Sequence, residues 1–286
     1  VLSKMLLLTS FLFFGVSSPA SGAETGTKDW SKNFAVKGTP EVVVRAGDGN
    51  IQVMPGDAQS VKAEVHVVGW EIGPREVEIS DSQSGDRVEI RIRVPHRWRW
   101  HTGRRSVDVY LTVPQKANLD LDTADGRLEV RGVAGNFHGH TGDGSILVND
   151  AEGQLDLVTG DGRMEVSGSQ GRLRGHTGDG SIRVDGVYSD LQLDTGDGSI
   201  EASLREGSRM EGSWSLRTGD GHIRVTLPAS FAADLDAHTG DGRITLDMPV
   251  TISGALSPTE IRGKLNGGGP TLSLRSGDGS ITVEKR

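Results

Sequence analysis

Apolar and polar residues alternate along most of this chain, and a recurring Gly-Asp-Gly phrase interrupts the alternation at regular intervals. Leu119-Asp120-Leu121-Asp122-Thr123 leads into one such phrase, and Leu128-Glu129-Val130 follows it. Period two on both sides predicts strand, tight turn, strand, with the two apolar sets facing each other. The Asp of the phrase stands at Asp48, Asp125, Asp143, Asp161, Asp179, Asp197, Asp220, Asp241 and Asp278. From Asp125 the separations are 18, 18, 18, 18, 23, 21 and 37 residues, the mark of a repeat architecture. Apolar columns recur with the phrase: six residues before each Asp stand Leu119, Phe137, Leu155, Leu173, Leu191, Trp214, Leu235 and Leu272. Two residues before each of these Asp residues stands a Thr (Ser276 in the last copy).

Two strands of about five residues cannot hold together alone in water. Stacked at ~4.8 Å, each rung hydrogen-bonds to the next and extends one core. The expected fold is therefore all-β: a right-handed parallel β-solenoid with two short strands per rung, the hand following from the crossover rule. Residues 61–68, 76–80, 87–94 and 106–113 also alternate but fall between Asp48 and Asp125, with Gly73-Pro74 and Gly85-Asp86 at turns. They predict an antiparallel β-meander covering the N-terminal end, where a bare sheet edge would invite aggregation.

Residues 1–23 read as a signal peptide, with Lys4 ahead of an apolar run at 5–16 and small residues at Ser21-Gly22-Ala23. The run is short for a membrane span, so no integral membrane segment is expected once the leader is removed. Residues 24–40 read as a linker, 41–116 as a first rung plus the strand excursion, and 117–286 as the repeats with an insertion at 248–269. Within that insertion Val250 and Ile252 alternate before Gly267-Gly268-Gly269, which suggests a side hairpin or loop.

The repeated Thr-Gly-Asp-Gly phrases behind a leader and a Val-rich opening strand resemble the bacterial putative-adhesin family of β-strand repeats. The segment from Ser106 to Pro114, running into Leu119-Asp-Leu-Asp-Thr123, is also similar to that family's midsection. The resemblance covers Glu41 to the C-terminus. It implies the repeat fold and a domain of unknown function with an adhesin label, and it brings no catalytic residues.

Composition narrows the role. There is no cysteine, so an exported chain of this kind is held by packing and not by disulfides. The net charge is −8 and becomes more negative when Lys4 leaves with the leader, which disfavours nucleic acid and anionic membranes as partners. No Cys nucleophile, G-x-S-x-G, H-E-x-x-H or P-loop is present, and no enzyme activity is expected. The leading expectation is a non-catalytic exported module, periplasmic, cell-surface or extracellular, that meets envelope polysaccharide or another envelope protein. A carbohydrate-active β-solenoid enzyme and a calcium-dependent rod are the alternatives.

Three features carry candidate chemistry. In the Gly-Asp-Gly turns the glycines are expected to supply positive φ and the Asp to cap turn N–H groups. The alternative there is a calcium ladder, but the calcium-roll nonapeptide is absent and no cofactor is expected. His140, His176 and His238 each follow a small residue (Gly139, Gly175, Ala237), so the imidazole is expected to cover that gap. Arg97-Trp98-Arg99-Trp100 places basic and aromatic groups on alternate faces, as either a hairpin packed on the cap or a surface for acidic glycans. Carboxylates ~4.8 Å apart repel by about 0.9 kcal/mol in water and by about 3.5 at a dielectric of 20, so an exposed Asp column needs no cation. EDTA is accordingly expected to leave the melting temperature unchanged. A large rise on adding calcium would make the column a metal ladder.

Overall fold

The computed structural model describes residues 28–94 and 105–286. Every element is a strand. In chain order they are β1 (Lys28–Ala35), β2 (Glu41–Arg45), β3 (Asn50–Pro55), β4 (Ser60–Val68), β5 (Glu78–Ser84), β6 (Arg87–Arg93), β7 (Ser106–Val113), β8 (Asn118–Thr123), β9 (Leu128–Arg131), β10 (Ala134–Thr141), β11 (Ile146–Asn149) and β12 (Glu152–Thr159). The rest are β13 (Met164–Thr177), β14 (Ile182–Thr195), β15 (Ile200–Leu204), β16 (Trp214–Thr218), β17 (Ile223–Leu227), β18 (Ala233–Thr239), β19 (Ile244–Asp247), β20 (Thr251–Leu256), β21 (Glu260–Leu265), β22 (Thr271–Ser276) and β23 (Ile281–Lys285). All belong to one 23-stranded mixed sheet.

Within this sheet two sets of strands pair in parallel register. Strands before the turns pair in parallel along β2, β8, β10, β12, β13, β14, β16 and β22 to form a first wall. Strands after the turns pair in parallel along β3, β9, β11, β13, β14, β15, β17 and β23 to form a second wall. The 14-residue strands β13 and β14 contribute to both walls. Leu155 pairs with Leu173 and Leu173 with Leu191, and all three are buried in one continuous core.

The glycines of the turns have a different cause from the one expected. Among these turns only Gly47 has positive φ, at 55°. The others are glycine because the rungs touch there. A Cβ on Gly162 would lie 1.8 Å from the Gly144 carbonyl oxygen, and one on Gly144, Gly180 or Gly198 would lie 2.0 Å from the oxygen of the second glycine one rung back. The first glycines are nearly as close: a Cβ on Gly160 would meet the Gly142 oxygen at 2.6 Å. Their N–H groups use that proximity, Gly160 donating to Gly142 at 2.5 Å and Gly196 to Gly178 at 2.5 Å.

The threonine column completes the seam. Thr159 Oγ1 donates to the Gly144 carbonyl at 2.8 Å and accepts from the Gly162 N–H at 3.2 Å. Thr195 and Thr218 repeat the pattern with Gly180 and Gly198. These hydroxyls are buried, so each exchange satisfies groups that water cannot reach. Turn N–H groups therefore go to carbonyls and threonines rather than to the Asp carboxylate, and the expected Asx cap is replaced by a rung-to-rung one.

Both ends depart from a simple coil. Residues 28–35, expected as linker, form β1, antiparallel to β4, because Phe34 turns inward and is buried. The excursion is only partly an antiparallel meander. Strands β4–β7 and β5–β6 do pair antiparallel, but β6 and β7 run parallel to β2 and β3 and make a rung of their own. That rung lies outside the Asp48 rung although it follows it in the chain. At the other end β22 and β23, around Asp278, insert between the rungs of Asp220 and Asp241. The insertion folds as the β20–β21 hairpin, and β21 lies antiparallel on β18 to cover the terminal rung.

Irregular rungs are filled locally. A Cβ on Gly139 would meet the Phe137 ring at 2.8 Å, and one on Gly175 the Met164 sulfur at 2.8 Å. The gaps beside His140 and His176 are thus closed from inside by a larger neighbour, and the imidazoles face solvent. Inside β14, a Cβ on Gly186 would lie 3.0 Å from the Tyr188 hydroxyl oxygen. The Tyr188 hydroxyl is buried with no hydrogen-bond partner, and burial raises its pKa.

The seam makes a stability prediction. Gly162→Ala forces a methyl against a backbone oxygen and is expected to destabilise by about 3 kcal/mol in urea unfolding. Gly73→Ala, where nothing lies within 4 Å, is expected to stay within about 0.5 kcal/mol of the parent.

Candidate functional site

Alternation sends every second residue of the first wall into solvent, and the parallel register lines these residues up rung on rung. One outward column reads Asp120, His138, Asp156, Arg174, Gln192 and Ser215. Its neighbour reads Arg45, Asp122, His140, Val158, His176, Asp194, Arg217 and Arg275. An acid and a base at adjacent rungs are favourable neighbours, and three such pairs close, each joining an Asp to a histidine.

Arg45 takes Asp120 with both nitrogens, at 3.0 and 2.7 Å. The hydrogen bond Arg45 donates to Asp120 outweighs the cost of partial burial and raises the Arg45 pKa, with help from the charges of Asp120, Asp122 and Glu89. His140 Nδ1 lies 3.2 Å from Asp122, His138 3.5 Å from Asp156 and His176 3.0 Å from Asp194. At the far end Asp236 accepts from Arg275 and, at 3.3 Å, from Arg262. Partial burial would raise the Asp236 pKa, but the two guanidiniums outweigh it and the net direction is down.

Two shallow grooves run over this lattice and share Asp156. The first, about 430 Å³, is lined by Glu41, Asn118, Asp120, Asn136, Phe137, His138 and Gln154. The second, about 440 Å³, is lined by Arg174, His176, Gln192, Asp194, Ser215 and Arg217.

The sequence-expected residues are distributed differently. All nine turn aspartates, from Asp48 to Asp278, stand exposed along one edge of the stack, away from both grooves. Among the described residues no three His, Asp or Glu side chains converge to hold a metal. Arg97, Trp98, Arg99 and Trp100 lie outside the described residues, as does the expected leader. Apart from His176, the groove residues carry no motif, because each is an ordinary polar residue in a strand. The signal was present at the 18-residue period, where outward positions alternate in sign through Asp120, His138, Asp156 and Arg174.

Comparison with known proteins places the chain. The Toastrack DUF4097 family model matches residues 40–284, and the chain belongs to that family. A solved putative adhesin of Parabacteroides distasonis is 14% identical, covering 92% of this chain and 98% of its own, with a TM-score of 0.46. A putative lipid binding protein of the same species is 12% identical over 89% of this chain and 96% of its own, at 0.44. A putative adhesin of Bacteroides fragilis is 12% identical over 93% and 100%, at 0.36. No curated protein matches the chain. Among the described residues no helix is long and apolar enough to cross a membrane.

The lowered pKa of Asp236 gives a pH test. A carboxylate held below its unfolded-state pKa adds stability that is full above the unfolded value and is lost as pH falls through the folded one. Asp236→Asn is therefore expected to destabilise at neutral pH, and the gap from the parent should close as the solution is acidified below the ordinary carboxylate range. Urea midpoints between pH 7 and strong acid measure it.

Proposed function

We propose that this Toastrack protein is a non-catalytic exported interaction module of the cell envelope, coiled as a right-handed parallel solenoid. It meets an envelope polysaccharide or another envelope protein with the outer face of the first wall. One observation carries the reading: on that wall the polar residues form two registered columns under two adjoining open grooves, a surface extended along the stack rather than a closed pocket. An open lattice of this kind offers repeated contacts but does not exclude water from any one of them, which suits adhesion better than bond cleavage. Family membership agrees with a role in adhesion, and the leader read from residues 1–23 agrees with export.

The full chain should be retained on isolated envelope fractions. Arg174→Glu with Arg217→Glu, in the second first-wall groove, is expected to abolish retention. Leu147→Lys with Thr245→Lys, on the second wall, is expected to leave it unchanged. If Trp98→Ala with Trp100→Ala removes retention while the first-wall pair does not, the contact surface is the Arg/Trp segment and the first-wall assignment fails.

A further inference from the structure

Over the second groove two histidines compete with arginines for the carboxylates between them. Asp156 stands in register between His138 and Arg174, and it pairs with His138. Asp194 stands between His176 and Arg217, and it pairs with His176. Arg174 and Arg217 are left over, in no ion pair among the described residues, and both line the same groove of about 440 Å³. Their neighbours on this wall are engaged: Arg45 by Asp120, Arg172 by Glu211 and Arg275 by Asp236. Two guanidiniums thus share one groove, with Gln192 between their rungs and the Asp156 and Asp194 carboxylates beside them.

We infer that this groove binds the carboxylates of a uronate-bearing polysaccharide lying along the stack. The inference rests on the reading of the first wall as the interaction face and names its ligand class. A guanidinium takes a carboxylate through two parallel hydrogen bonds, a geometry an ammonium does not reproduce. Arg174 and Arg217 are two rungs apart and two residues apart along the strand, roughly 12 Å from strand geometry, so they suit a polymer that repeats its acid along its length and runs obliquely along the stack. The remaining polar groups suit sugar hydroxyls. Asp156 and Asp194 accept, Gln192 both donates and accepts, and Ser215 does the same. An extended peptide is a poorer fit, because the strands beneath the groove are paired on both sides and offer no free backbone edge.

The test titrates oligogalacturonate, its fully methyl-esterified form and a sulfated polysaccharide into the full chain by calorimetry. The acid form is expected to bind, with affinity falling as salt rises, and esterification is expected to weaken it at least about tenfold. Arg174→Gln and Arg217→Gln should each weaken binding about tenfold, and Arg174→Lys should recover only part of that loss. Arg183→Gln on the second wall should bind as the parent does. Both groove arginines are exposed, and matching melting curves establish that the variants are folded. Equal binding of acid and ester overturns the proposal, as does full binding by both glutamine variants. Preference for the sulfated polymer over the uronate replaces the carboxylate with a sulfate ester and overturns the ligand class. If no uronate binds but the first-wall variant still abolishes envelope retention, only this inference falls. If envelope retention is also indifferent to the first wall, the broader reading falls with it.

Discussion

The whole stack depends on how closely one turn approaches the next. At the second glycine of each phrase, the carbonyl oxygen of the preceding rung occupies the place a Cβ would take, at about 2 Å in most turns. No other residue type allows that contact. The threonine two residues before each Asp then uses the same oxygen as its acceptor. Glycine sets the distance and threonine secures it, so the aliphatic columns behind the seam arrive in register. A one-residue slip would turn Leu155 and its successors out to solvent and leave the hydroxyls unpaired.

The ends solve a different problem. A parallel stack finishes in open edges that invite further pairing. At one end the chain lays β1 and β5 antiparallel against its outer strands, and at the other it lays the β20–β21 hairpin against β18. Both ends also place the rung nearest the terminus one position inside the stack. The outermost rungs are therefore internal pieces of chain, held on both sides by connections that lead back into the fold. A frayed terminus cannot peel an end rung away directly.

The face that carries the functional reading is a by-product of the same register. Parallel pairing at fixed spacing converts an 18-residue period into straight columns, so one charge per rung becomes a line of charges. Pairing along that line is local: Asp156 and Asp194 each close on a histidine and leave the neighbouring arginine as a remainder. Those remainders, not any single motif, give the first wall its chemistry. The exposed Asp edge, the more conspicuous feature, forms no such groove.

The pattern of residues determined the strands, the rung length, the inward columns and the family, because alternation and an 18-residue period are local properties of the chain. It also pointed to glycine at the turns but misassigned the reason, since a clash with a neighbouring rung is invisible in one strand. The column Gly135, Gly153, Gly171, where a Cβ on the last would meet the Gly153 oxygen at 2.1 Å, was missed for the same cause. Only the tertiary structure decided the order of rungs at the two ends. Similar rungs make similar edges, and which edge β22 takes depends on β21 having already covered β18. It likewise decided which arginines are left unpaired, because that depends on competition between neighbours 18 or more residues apart.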